Sequence, residues 1–149
     1  IKHAARTGLP LALLFLDLDG FKDVNDGLGH EAGDQLLQEV AHRISACVRD
    51  TDTVARLGGD EFTVVLTEVT QPAKVDAICA KMLAEIEKPF VLEAGEARIS
   101  ASIGITLYPG GAASPDELLR QADSAMYSAK NAGRNRYHFF AGANQRMRG

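Results

Sequence analysis

The sequence predicts an α+β fold, a central, mostly antiparallel sheet flanked by helices, and three observations carry that reading. Residues 10–18 (PLALLFLDL) and 97–107 are apolar runs of strand length. Residues 53–57 and 61–66 are strand-like and separated by Gly58-Gly59, the signature of a tight hairpin and so of antiparallel pairing. Between the strands lie windows in which apolar residues recur at helical spacing, so helices are interleaved with the sheet and cover it.

Each element follows in chain order. The strand over 10–18 ends at Asp17-Leu18-Asp19-Gly20, where glycine marks a turn, and a short helical turn is expected over 21–26. A helix is expected over 31–49, with Leu36, Leu37, Val40, Ala41, Ile44, Cys47 and Val48 along one side. After the hairpin, a second such helix is expected over residues 72–88, with Val75, Ile78, Cys79, Met82, Leu83 and Ile86 in its stripe. Strands over 90–93 and 97–107 are joined at Gly95. A third helix over 115–131 opens with Ser114 as N-cap, Pro115 at the first helical position and Glu117 at the capping-box place. A last strand is expected over 136–140.

Composition bounds the function. The 149 residues fit one domain with room for a core, and a hydrophobic share of 46% is ordinary for a globular protein. A net charge of −4 argues against a general nucleic-acid-binding surface, so any nucleotide contact must be local and metal-assisted. No run approaches the ~20 apolar residues of a membrane span, so no direct membrane contact is expected. Cys47 and Cys79 read as small buried hydrophobes in a reducing compartment.

Chemistry concentrates in two places. Arg56-Leu57-Gly58-Gly59-Asp60-Glu61-Phe62 sets adjacent carboxylates at an exposed hairpin tip, a poor way to build a core and a good way to hold a divalent cation. Asp17 ends an apolar strand, where a charge is costly unless paired or metal-bound. Asp17 is expected to face the metal, and Asp19 to cap the turn toward Phe21 on another face. A calcium loop starting at Asp17 is excluded, because its fifth, sixth and twelfth places hold Phe21, Lys22 and Leu28.

Together, DLDGFKDVNDGLGHEAGDQLL (residues 17–37), RLGGDEF and MYSAKNAGRNRY (residues 126–137) resemble the GGDEF family, the diguanylate cyclase domain. The resemblance implies a nucleotidyl cyclase or palm-like fold with a ferredoxin-like core. It also implies an enzyme, a nucleotidyltransferase that joins two GTP molecules, held on two facing domains, into cyclic di-guanylate plus pyrophosphate. Magnesium or manganese would be held by Asp17, the Leu18 carbonyl, Asp60 and Glu61, with Asp60 assisting deprotonation of the ribose 3′-hydroxyl. Phe21 and Lys22 match the phosphate loop, Asn25 and Asp34 the guanine readers, and Lys130 and Arg134 a positive pair on one helix side near the triphosphate. Arg49 and Asp52, nine and six residues before Gly58, match the family's inhibitory Arg-x-x-Asp site for the product, with Lys81 a candidate second arm.

The same resemblance divides the chain into a domain over 1–140, lacking the family's opening segment, and a linker starting at 141–149. Covalently linked EAL and sensory domains, a catalytic homodimer and a cytoplasmic location are expected, any membrane anchor lying elsewhere in the parent. The rival reading is a regulatory module that binds GTP or cyclic di-guanylate without making product.

Overall fold

The computed structural model describes residues 10–109 and 114–140. Its elements are β1 (Leu11–Asp19), α1 (Phe21–Leu28), α2 (His30–Ser45), β2 (Thr53–Gly58), β3 (Glu61–Thr67), α3 (Pro72–Glu87), β4 (Phe90–Leu92), β5 (Gly95–Ala97), β6 (Ser100–Tyr108), α4 (Pro115–Asn131) and β7 (Arg136–Phe139). The main sheet has strand order β2-β3-β1-β6-β7, antiparallel throughout except for the parallel β6–β7 pair, whose crossover is α4. The α+β expectation therefore holds.

The two apolar runs become the central strands because both their faces are covered. Every residue of β1 is buried, as are the seven interior residues of β6. Leu14, Leu16, Phe62, Val64, Ile103 and Ile105 form one face and pack, with Leu36, Val40, Cys79 and Met82 of α2 and α3, into the larger core. Leu13 and Phe15 point the other way, onto Leu118, Ala122 and Met126 of α4. Asp17, Asp19 and Ser102 continue that second face at its end, since residues two apart on a strand share a side. Helix α4 lies unusually close there: a Cβ on Gly104 would meet the Ala122 carbonyl oxygen at 2.0 Å and the Met126 amide nitrogen at 2.1 Å.

Three boundaries depart from expectation by more than one residue. Helix α1 runs on to Leu28 and stops at Gly29, whose φ of +97° is left-handed. Helix α2 stops at Ser45, not residue 49, because the Cys47 and Val48 amides donate to carbonyls three residues back and tighten the chain into a turn. Cys47 therefore lies outside the helix, half-buried, while Cys79 is fully buried as expected. The run 97–107 is split: Ala97 pairs with Phe90 in a separate β4–β5 ribbon, and β6 begins at Ser100. The predicted cap of α4 is present, with the Glu117 amide donating to Ser114 Oγ at 3.2 Å.

Arg43 ties α2 to the end of α3. Its guanidinium donates to the carbonyls of Glu85, Lys88 and Pro89, each at 2.8 Å, and stacks 3.6 Å from the Phe90 ring centre. Glu85 lies in the last turn of α3, where its carbonyl also accepts from the Lys88 amide at 3.3 Å, and the Lys88 and Pro89 carbonyls follow the helix end. Arg43→Ala is expected to lower stability by about 2 kcal/mol, and Arg43→Lys to recover less than half, lacking the planar fork. Urea denaturation checks this, and an unchanged midpoint for the alanine variant would contradict it.

Candidate active site

The site assembles where β1, the β2–β3 turn and α4 meet. Antiparallel register sets Asp17 directly opposite Glu61 on one side and Ser102 on the other. The Leu18 amide donates to the Asp60 carbonyl at 3.1 Å, fastening the hairpin tip to the end of β1. The tip needs glycine: Gly58 and Gly59 have φ of +149° and +50°, with a register shift between Arg56 and Gly58. A Cβ would meet nothing within 4 Å at either position, so conformation rather than space demands glycine.

Asp60 and Glu61 are half-buried, not the fully exposed tip the sequence suggested. Burial, and then the charge of Asp17, push both carboxyls above the usual range; Asp123 on α4 adds to the effect on Glu61. Asp17 is 6% exposed. Its Oδ2 accepts from Lys130 Nζ, while its Oδ1 is buried with no hydrogen-bond partner among the described residues. That bond raises the Lys130 ammonium above its ordinary value.

This arrangement fits a divalent cation. The carboxyls around Asp17 destabilise one another's charge, and an orphaned buried carboxylate oxygen is costly unless something binds it. Among the described residues no group of three or more His, Cys, Asp or Glu is gathered closely enough to hold a metal, so Asp17, Asp60 and Glu61 lie near one another without forming a metal centre.

Asp19 corrects the expectation of a different face. It shares the Asp17 side and is 7% exposed, accepting from Ser100 Oγ at 2.8 Å and Ser102 Oγ at 2.9 Å. Arg134 and Lys130 do not share a helix side, because α4 ends at Asn131 and Arg134 has a left-handed φ of +64°. Each basic residue instead faces its own aspartate, Arg134 Nε lying 3.8 Å from Asp19.

The candidate nucleotide residues sit on α1 and α2. Phe21 is half-buried against the larger core and Lys22 is exposed. Asn25 packs over Gly33, where a Cβ would lie 1.8 Å from its Oδ1, so α1 and α2 touch beside exposed Asp34. Asp34 lines a cleft of about 380 Å³ with Leu37, Gln38, Arg56 and Phe62. Arg56 is a lining residue to which sequence reasoning gave no role, although it lies within the glycine-acid motif.

Arg49 and Asp52 lie at the other end of β3, roughly 20 Å from the tip at ~3.3 Å per residue. The Asp52 carboxylate is 1% exposed and accepts from the Arg49 amide at 2.8 Å and the Thr67 amide at 2.9 Å. Burial works to raise its pKa, but the Thr67 and Arg49 amides outweigh burial and hold it below the usual range. Arg49 is 58% exposed and also donates to the Thr67 carbonyl. Lys81, on α3, is exposed.

The sequence profile of the family described as diguanylate cyclase, GGDEF domain, matches residues 1–136. The chain belongs to the GGDEF family. The domain is 54% identical over 140 residues to the bifunctional diguanylate cyclase/cyclic di-GMP phosphodiesterase MucR of Pseudomonas aeruginosa, covering 94% of this chain and 20% of that protein. It is 42% identical over 141 residues to the cyclic di-GMP phosphodiesterase NbdA of the same organism, covering 95% of this chain and 18% of that one. The crystal structure of the GGDEF domain of TpbB (YfiN), also from Pseudomonas aeruginosa, superposes with a TM-score of 0.88 at 42% identity, over 93% of this chain and 87% of that one. The GGDEF domain thus spans about a fifth of the length of these two curated relatives, and its fold is the palm-like fold of cyclase domains. None of its described helices is long and apolar enough to cross a membrane.

Proposed function

We propose that this GGDEF domain is a diguanylate cyclase that condenses two GTP molecules into cyclic di-guanylate and two pyrophosphates between two facing copies. The observation that carries the reading is Asp17, buried at a strand end with one oxygen unbound among the described residues, in register with Glu61 and beside Asp60. Magnesium, held there by Asp17, Asp60, Glu61 and the Leu18 carbonyl, would supply Lewis-acid polarisation of the triphosphate.

The chain's own residues do the rest. Asp60, with a raised pKa, accepts the proton of the 3′-hydroxyl as that oxygen attacks the α-phosphate of the facing GTP and pyrophosphate leaves. Lys130 and Arg134 bring positive charge toward the triphosphate, and backbone amides at Phe21 and Lys22 hold its oxygens. Asn25 and Asp34 read the guanine edge by amide and carboxylate hydrogen bonds. One domain holds one α-phosphate and one 3′-hydroxyl, so closing the ring requires two.

Product inhibition is assigned to Arg49 and Asp52. The exposed guanidinium of Arg49 pairs with guanine, and Asp52, fully engaged by the chain, orients it. Linked EAL and sensory domains complete the parent. The regulatory-module alternative draws support from NbdA, named for phosphodiesterase activity alone. Against it stands the complete set of Asp17, Asp60 and Glu61.

The test is specific activity against protein concentration, followed as pyrophosphate release from GTP and magnesium. Activity per domain is expected to rise with concentration until dimers saturate. Constant activity from a demonstrated monomer would overturn the two-domain mechanism.

A further inference from the structure

Asp19 is a buried carboxylate that the cyclase chemistry above does not use, and its partners lie more than 80 residues away. Its Oδ2 accepts from Ser100 Oγ at 2.8 Å, and Ser102 Oγ reaches its two oxygens at 2.9 and 3.2 Å. The backbone amide of Asn135 donates to the same Oδ2 at 3.2 Å. Arg134 Nε stands 3.8 Å from Oδ1, in ion-pair range but without a hydrogen bond.

The segment so held is an unusual one. Arg134 and Asn135 are consecutive non-glycine residues with left-handed φ of +64° and +49°, a conformation side chains rarely adopt without outside support. Support comes from three sides: the Arg134 amide donates to Ala129 O at 3.1 Å, Asn135 Nδ2 to Glu87 at 2.8 Å, and the Asn135 amide to Asp19. Of these acceptors, only Asp19 lies on the same strand and face as Asp17. The Arg134 side chain itself remains 59% exposed.

We infer that Asp19 is a positioning residue: it fixes the Arg134–Asn135 turn to the end of β1, so that the loosely paired Arg134 guanidinium is presented to the triphosphate beside Asp17. Ser100 and Ser102 hold the carboxylate, the carboxylate holds the turn, and the turn aims the arginine. A firm hydrogen bond to the backbone and a long contact to the guanidinium suit this role. The turn stays in place while the side chain remains free to exchange partners.

This inference rests on the cyclase reading, and its test separates the two. Binding of N-methylanthraniloyl-GTP with magnesium is measured on the full-length protein for wild type, Asp19→Asn, Arg134→Ala and the double variant, alongside melting temperatures. Asp19→Asn is expected to weaken binding about tenfold when Arg134 is present and less than about twofold when it is alanine. Equal weakening in both backgrounds would make Asp19 a structural residue only and overturn the inference. Tightened binding would also overturn it, since Asp19 would then act merely as a charge repelling phosphate. Should Asp19→Asn fail to fold, Ser100→Ala loosens the same carboxylate from a half-buried position. It is expected to weaken binding about threefold with the same dependence on Arg134. A wild-type protein that neither binds the analogue nor makes cyclic di-guanylate would remove the cyclase reading and this inference with it. Binding by wild type without the Arg134-dependent loss would remove the inference alone.

Discussion

Asp60→Ala and Glu61→Ala each reduce cyclic di-guanylate synthesis by roughly 10²–10⁴-fold and leave the melting temperature unchanged or raised. The activity loss follows from the convergence of both carboxyls on Asp17. The stability outcome follows from the direction of their pKa shifts. Both are raised in the folded protein, first by burial and then by the charge of Asp17. A carboxyl raised by folding destabilises the native state once it ionises. That penalty is absent below the ordinary carboxylate pKa, about 4, grows as pH rises from there toward the elevated folded value, and is complete only above it. Alanine removes it, and neither half-buried side chain fills the core. Product measured by mass spectrometry and thermal melts at pH 7 check both halves. Near-wild-type turnover in either variant would contradict the assignment, as would a large stability loss in both.

The largest stability effect is expected at Gly104, and it reaches the same site by a different route. The atoms that a new Cβ would meet are the backbone carbonyl of Ala122 and the backbone amide of Met126. Neither can rotate away, so α4 must move off the sheet as a body. Gly104→Ala is expected to cost about 3 kcal/mol, at the upper end of ordinary overpacking. In a domain of this size that is a fall in melting temperature of roughly 10 °C. The same helix carries Lys130 to Asp17 and ends just before Arg134, so surviving protein should also bind GTP more weakly. A melting temperature within about 2 °C of wild type would show that α4 does not rest on Gly104 as closely as described.

What could be read in advance divides along physical lines. Strands β1 and β6 were legible because a strand covered on both faces is apolar at nearly every position, and α4 because Ser114 and Pro115 mark its start. The end of α2 was hidden: Cys47 and Val48 continue the apolar spacing, while the turn that replaces the helix is set by Asp52 binding the amides of Arg49 and Thr67. The break before β6 was hidden for a similar reason, since Ile99 keeps the run apolar and only pairing partners separate Ala97 from Ser100.

The same division holds at the site. Asp17, Asp60 and Glu61 stand in short local motifs whose composition makes little sense for a core, so they could be picked out one by one. Their meeting depends on register, which juxtaposes Asp17 and Glu61 across 44 residues of chain. Ser102, Asp123 and the Asn135 amide reach the site only through β6 and the α4 crossover. No local pattern announces such a contribution. Arg134 was misplaced because helical spacing was extended past Asn131, where Gly133 with φ of +130° turns the chain away.

The most direct measurement incubates the full-length protein with GTP and magnesium and assays for cyclic di-guanylate by mass spectrometry, with Asp17→Asn, which takes the charge from the buried carboxylate, as the paired control. Cyclic di-guanylate and pyrophosphate accumulating with wild type, in a ratio of about one to two, and neither with the variant, is the predicted result. Wild-type protein that binds GTP but forms no cyclic di-guanylate at any concentration would contradict the account and leave the domain a nucleotide-binding regulator.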